Sequence, residues 1–358
     1  MTVYQLDPLT DPRWPAFVAE HDQSSIFHTK GWLDALRLTY GYRPLAFTTS
    51  HAGPLTNAMV FCEVQSWLTG RRLVSLPFSD HCEPLAGLKD VSEVLDYLHA
   101  QHRPQRWKYI ELRAAREGTL DASYEGFYAS EHFVSHSIDL SPRVDAIFSS
   151  FHRAFRGTIR RAEREDLVYE SGNSADLLRR FGSLLLLTRR RHQLPPQPAY
   201  WFSNLVHSLG SAVTIHLVSQ NSVPVASILT LRHNTTLVYK YSCSDARFNS
   251  LGGVSLLLWK AIQQAIAAGI HTFDLGRSEP ENSGLITFKE RLGATASSLT
   301  YYRSPTLTTA ASPMLSPTSN SRPAASPARP SALARRAVAS LPDPLFAGVG
   351  QLLYRHMA

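Results

Sequence analysis

Leu237-Val238-Tyr239-Lys240-Tyr241-Ser242, then Arg247-Phe248-Asn249-Ser250-Leu251-Gly252-Gly253, then Ile270-His271-Thr272-Phe273-Asp274-Leu275 follow one another along the chain. The first run alternates with period two, which predicts a strand with Tyr239 and Tyr241 on one face and Val238, Lys240 and Ser242 on the other. Behind the glycine pair, Val254, Leu257, Leu258, Ala261, Ile262, Ala265 and Ile266 recur at helical spacing, with Gly269 as the C-cap. The third run predicts a second strand. A strand, a right-handed helical crossover and a parallel strand bring both strand ends and the helix N-terminus to one edge of a sheet, where open α/β folds bind ligands. Asp274 and Arg277 fall at that edge.

Gly252 and Gly253 stand at a helix N-terminus. Without Cβ atoms they let a ligand approach the backbone, and the unpaired first-turn amides suit a phosphate or pyrophosphate. A plain turn before a helix has the same appearance. With the glycines, Arg247, Ser250 and Phe288 are the candidate donor-binding residues. Beyond Asp274 the chain runs through Gly276-Arg277-Ser278-Glu279, a helical segment from Gly284 to Leu292 carrying Phe288 and Lys289, and a last strand from Ser297 to Arg303.

The pieces Phe273-Asp274-Leu275-Gly276-Arg277-Ser278, Gly284-Leu285-Ile286-Thr287-Phe288-Lys289 and Leu257-Leu258-Trp259-Lys260-Ala261-Ile262 resemble the second domain of FemAB-like proteins, tandem acyltransferases of the GNAT (GCN5-related N-acetyltransferase) type. In the first half Phe27-His28-Thr29-Lys30-Gly31-Trp32, Leu76-Pro77-Phe78-Ser79-Asp80 and Tyr109-Ile110-Glu111-Leu112-Arg113 continue the resemblance, which spans roughly residues 20 to 303. His81-Cys82-Glu83 departs from the Tyr-Gly-Gly often found in relatives. The resemblance implies an α/β (α+β) fold of two GNAT-like domains with mixed central sheets. It also implies an acyl-CoA donor such as acetyl-CoA, held by backbone N–H groups of a splayed strand near Tyr241 to Ser244.

With 358 residues, of which 44% are hydrophobic and 18% charged, the chain can bury one large core or two medium ones, and its length favours two domains. The expected division is 1–142 as a first GNAT-like domain on the acceptor side, 143–303 as a second, catalytic domain on the donor side, 304–330 as a Ser/Pro/Ala-rich linker, and 331–358 as a C-terminal amphipathic segment. A basic helix from Arg143 to Glu165 joins the halves, its Arg153, Arg156, Arg160 and Arg164 on one face; a solvated face and a phosphate-binding face both fit. Leu341, Leu345, Phe346, Val349, Leu352 and Leu353 make the C-terminal segment one or two short helices, which either dock on the body or touch a membrane surface. The net charge of +7, mostly arginine, favours anionic partners: nucleotide-linked sugars, coenzyme A or tRNA. Cys62, Cys82 and Cys243 are too widely spaced for a metal site or a disulfide framework, so no metal is expected. The absence of a signal peptide and of an 18-residue apolar run leads us to expect a cytoplasmic protein, with an inner-membrane contact open through the C-terminal helix.

Acyl transfer to an amine needs a neutral amine, a polarised carbonyl and a proton acceptor. In tRNA-dependent relatives the matching Phe-Lys belongs to the reaction centre, so the resemblance makes Lys289 the leading catalytic candidate; a surface lysine in the run Lys289-Glu290-Arg291 is the bland alternative. Asp274 is a candidate base or a satisfier of turn amides. Tyr241 is a candidate proton donor or a core residue. Candidate acceptor-binding residues are Lys30, Phe78, Asp80, Arg113, Arg277 and Glu279, with a buried Asp80–Arg113 pair as the structural alternative for those two. Three functions follow: an N-acyltransferase moving an acyl group from acyl-CoA to an amine of a cell-envelope or exopolysaccharide precursor, an aminoacyl-tRNA-dependent transferase acting on a peptidoglycan precursor, and a non-catalytic glycan- or partner-binding protein of the same fold.

Overall fold

A computed structural model describes residues 2–114, 126–304 and 332–356. Almost all of the expected linker 304–330 lies outside the described residues. The strands are β1 (Tyr4–Leu6), β2 (Arg43–Thr48), β3 (Met59–Ser66), β4 (Gly70–Val74), β5 (Ile110–Ala114), β6 (Tyr128–Asp139), β7 (Leu167–Gly172), β8 (Val213–Gln220), β9 (Val223–His233), β10 (Thr236–Ser244), β11 (Thr272–Ser278) and β12 (Thr295–Arg303). The α-helices are α1 (Trp14–Glu20), α2 (Lys30–Tyr40), α3 (Leu88–Gln101), α4 (Val144–Ser150), α5 (Arg153–Ala162), α6 (Ala175–Arg191), α7 (Ala199–Leu209), α8 (Gly253–Ala267), α9 (Ser283–Arg291), α10 (Ala332–Ala339) and α11 (Asp343–Tyr354).

The twelve strands of the described residues join one sheet in the order β1-β2-β3-β4-β5-β12-β6-β11-β10-β9-β8-β7. Among the described residues only β4·β5 and β10·β11 pair in parallel, as a helical crossover between neighbours requires. The last strand, β12, inserts between β5 and β6, and β6 separates β12 from β11. The sheet therefore runs unbroken through both halves.

Its strands alternate apolar residues onto two faces. On one face α1, α2, α6 and α7 share a core in which Trp32, Trp201, Phe181 and Leu229 are fully buried. On the other, α3 covers β2 to β5, while α4, α5 and α8 cover the strands around β9 to β11. The basic helix expected from Arg143 to Glu165 is two helices. Phe151 turns extended after α4, and the His152 side chain accepts from the Ala154 amide to cap α5. The His152 amide donates to the Arg291 carbonyl at the end of α9, so a tertiary bond replaces the helical one.

The C-terminal segment forms two helices, and α11 docks on the body. Phe346 is fully buried, Gly350 faces Pro196, and Tyr42 donates from its hydroxyl to the Tyr354 and Arg355 carbonyls. No described helix is long and apolar enough to cross a membrane.

Candidate functional site

Strands β10 and β11 pair at Thr236–Thr272, Leu237–Phe273 and Val238–Asp274, and pairing stops there. Past that point the strands part. A bulge in β10 between Tyr239 and Tyr241 interrupts its alternation. As a result the two tyrosines, expected on one face, lie on opposite faces: Tyr239 packs with α8, while Tyr241 enters the α6–α7 core and accepts a hydrogen bond at its hydroxyl from Trp201 Nε1 at 2.9 Å. Burial raises the phenol's pKa above its ordinary value. Tyr241 is not brought to the charged groups described next.

Those groups meet where β11 bulges against β6, between Asp274 and Arg277. Asp274 Oδ1 accepts the Gly276 amide at 2.7 Å, and Oδ2 lies 3.0 Å from His81 Nε2. Both alternatives for Asp274 thus occur together, one oxygen satisfying the turn and the other facing a titratable partner. Gly276 has a φ of +67°, and a Cβ there would stand 3.1 Å from Asp80 Oδ2, so only glycine lets the loop of the first half approach. Lys289 Nζ donates to the Gly276 carbonyl at 2.8 Å and to the Arg277 carbonyl at 3.1 Å. At 2% exposure it is not the surface lysine that its charged neighbours suggest.

Asp80 does not pair with Arg113. Its Oδ2 accepts from Lys240 Nζ at 2.7 Å, and its carbonyl accepts from the Tyr301 hydroxyl. Arg113 binds Glu111 at 2.8 Å and donates to the Leu76 and Ser79 carbonyls, which clamps a loop where Leu76 and Phe78 hold φ values of 49° and 61°. Phe78 itself packs among Tyr40, Trp201 and Tyr354. Arg277 lies over the Phe133 ring at 3.9 Å, its Nη1 buried without a hydrogen-bond partner. Lys30 and Glu279 are exposed.

The charges tune one another. Burial lowers the Lys289 pKa to about 8, against the pull of Asp80 and Asp274 and with the push of Lys240. Burial also opposes charge on His81, but the Asp274 hydrogen bond and charge, with Glu83 and Asp80, outweigh it and raise the pKa. For Asp80, burial is overcome by Lys240 and then by Arg277 and His81, which hold its pKa below the ordinary carboxylate value.

A cavity of about 230 Å³ opens beside the His81–Asp274 pair, lined also by Ser24, Ser25, Ser135 and Ser137. Around α5, α8 and α9 lies a second space. There a cavity of about 420 Å³ bounded by Phe155, Thr158, Ser255, Thr287 and Phe288 meets one of about 200 Å³ bounded by Asn249, Gly252, Gly253 and, again, Thr158 and Ser255. The glycines answer first to packing: at Gly252, φ is +73° and a Cβ would stand 2.7 Å from Thr158 Cγ2, and at Gly253 it would stand 3.1 Å from Ala226 and Val218. They still line the cavity. Ser250 is exposed, and so is Arg247, paired to Asp245 at 2.6 Å. Among the described residues no group of three His, Cys, Asp or Glu side chains is arranged to hold a metal ion.

Sequence reasoning missed Lys240 as a site residue and noted His81 only as a departure from a motif. One signal was present for Lys240: a lone charge inside an aromatic and β-branched strand requires a buried counter-charge. Nothing local could have shown that Asp80 would supply it from 160 residues away.

Residues 149–289 match the family model of the acetyltransferase (GNAT) domain. No curated protein sequence matches the chain. Among solved structures, FemX is similar with a TM-score of 0.65 at 13% identity, over 84% of this chain and 97% of that one. A tandem GNAT protein from the clavulanic acid biosynthesis pathway is similar with a TM-score of 0.54 at 11% identity, over 84% and 97%. L-PGS from Bacillus licheniformis is similar with a TM-score of 0.54 at 13% identity, over 84% and 93%. With its sheet parted between β10 and β11, the chain carries an acetyltransferase (GNAT) domain over residues 149–289 and shares its overall fold with FemX and a tandem GNAT protein.

Proposed function

We propose that the protein transfers an acyl group from acyl-CoA, acetyl-CoA being the simplest donor, to the amine of a small hydroxylated acceptor such as an amino sugar of an envelope or exopolysaccharide precursor. One observation carries this reading. The glycine-lined space lies on the α5–α8–α9 side of the sheet and the serine-lined cavity on the other, with the gap between β10 and β11 between them. A thioester reaching through the gap from one side meets an amine presented from the other.

In this reading the amine nitrogen attacks the thioester carbon, its proton passes to the His81–Asp274 pair, the C–S bond breaks and coenzyme A leaves. The Lys289 ammonium, fixed by two carbonyls, favours the negative charge that develops on the oxygen. Lys240 holds Asp80 and with it the acceptor-side loop. Serine hydroxyls around the cavity match a sugar's hydroxyl groups. The first half acts on the acceptor and the second on the donor.

Calorimetric titration with acetyl-CoA tests the donor. Binding that survives ribonuclease treatment and is abolished by Thr158→Arg, which fills the groove, is the expected result; absence of binding by the wild-type protein sinks the acyl-CoA reading. A second reading takes its donor from aminoacyl-tRNA. It is favoured by the exposed Arg153, Arg160, Arg161 and Arg164 on and just after α5, beside the groove, and by the fold shared with FemX. Activity that requires charged tRNA would select it.

A further inference from the structure

The most exposed large apolar side chain among the described residues is Trp67, at 83%, and its neighbour Leu68 stands at 58%. They form the tip of the β3–β4 hairpin, where burial in the core cannot explain them. The tip is not isolated. The Trp67 ring lies edge-on to His356 at 5.6 Å, and His356 is tied to the hairpin through Ser66 Oγ at 2.9 Å, the Thr69 hydroxyl and Arg72 Nη2. This lock holds the end of α11 against the hairpin.

Helix α11 turns Phe346 and Gly350 inward, but Leu345 and Leu352, seven residues apart and so on one face, are 59% and 63% exposed. Trp67 and Leu68 on the hairpin tip, and Leu345 and Leu352 on the helix whose end His356 ties to that tip, make up an exposed apolar ridge on two joined elements. Its flanks are basic. Lys108 passes beside Gly70 at the tip, Arg355 ends the helix exposed, and Arg336 on α10 is exposed beyond the other end. Asp343, at the start of α11, is paired to Arg190; no acidic residue occurs from Pro344 to Ala358, and the hairpin's Glu63 is buried beneath Arg71.

We propose that this ridge seats the protein on an anionic membrane surface, with Trp67 and Leu68 at headgroup depth and α11 lying in the interfacial plane. A tryptophan with its indole N–H at the wet end of an apolar body suits that depth. Basic flanks gain from a negative leaflet. A second copy of the chain would set like charges against each other. Residues 305–330 carry no acidic side chain to complement the flanks. The proposal does not depend on which acyl donor the protein uses.

Co-sedimentation of the full chain with vesicles tests it. Phosphatidylcholine mixed roughly 3:1 with phosphatidylglycerol should carry the protein into the pellet, phosphatidylcholine alone should not, and high salt should release it. Trp67→Glu with Leu352→Glu should weaken pelleting by about tenfold or more, while Leu38→Glu, on an exposed face of α2, should leave it unchanged. Since all three side chains are exposed, an unaltered thermal midpoint separates a lost contact from a lost fold. Wild-type protein that stays in the supernatant with both vesicle types, or pelleting that survives the double substitution, overturns the proposal. So does a dimer in solution that the same double substitution dissociates, because the ridge is then a contact between copies.

Discussion

Lys289 and His81 set the pH range in which the proposed chemistry can run. His81 must be neutral to accept a proton, and its pKa lies above the ordinary histidine value; Lys289 must be charged, and it loses its proton at about 8. The rate should therefore rise with pH through the His81 titration and fall again around pH 8, which a kcat/KM profile will show. Lys289→Arg should abolish the alkaline fall, since a guanidinium stays charged. Asp274→Asn removes the carboxylate that raises the His81 pKa, so the acid limb should move to lower pH while kcat drops about a hundredfold or more. An unchanged profile in both variants would remove the two residues from the reaction. Lys289 also adds a pH dependence to stability. Above pH 8 the folded lysine is neutral while the unfolded one still binds a proton, so its unfavourable contribution shrinks as pH rises towards the ordinary lysine range. Asp274 and Lys289 were legible from short motifs because each sits beside a glycine turn or a phenylalanine that marks it. Lys240 and His81 were not, because their meaning depends on partners across the interface.

Helix α8 begins where two demands coincide, and this makes its N-cap residue, Gly252, unusually intolerant. Gly252→Ala meets both a positive φ and the Thr158 side chain, and should cost about 1–3 kcal/mol by thermal or urea unfolding. The same substitution should weaken donor binding, because the strain falls on the wall of the groove. The glycine pair was read for the space it leaves a ligand, and its position at the helix start is as expected; its close contact with α5 was not legible, since α5 lay within what looked like one long basic helix. The alternation of β10 likewise predicted its faces up to Tyr239 and failed at the next residue. A bulge adds a residue without any mark in composition. At the other end of the chain Phe346→Ala should remove about 3 kcal/mol from the docking of α11, read as faster limited proteolysis after residue 331 with little change in the global midpoint.

Taken together, the strands bind the two halves more closely than a division into two GNAT-like domains suggests. Because β6 lies between β11 and β12 and β12 lies between β5 and β6, a fragment beginning at residue 143 leaves β11 and β12 without the strand that joins them. Such a fragment should be insoluble or show no cooperative unfolding, whereas the full chain should unfold in one main calorimetric transition; two well-separated transitions would contradict this. A doubled fold was expected from the resemblance, and the order β10, α8, β11, α9, β12 was readable from periodicity. Pairing was not, because Tyr128 to Asp139 mixes Ser, His and Glu with single apolar residues, and its neighbours come from more than 130 residues downstream. That arrangement bears on how the polypeptide is made. On the ribosome β5 and β6 emerge long before β12, and until residue 303 has been synthesised each presents a bare row of amides and carbonyls to its surroundings. Premature termination just before Thr295 would leave both rows open for good, so truncated products should be clients of chaperones and proteases even though His81, Lys240, Asp274 and Lys289 are all already present within them.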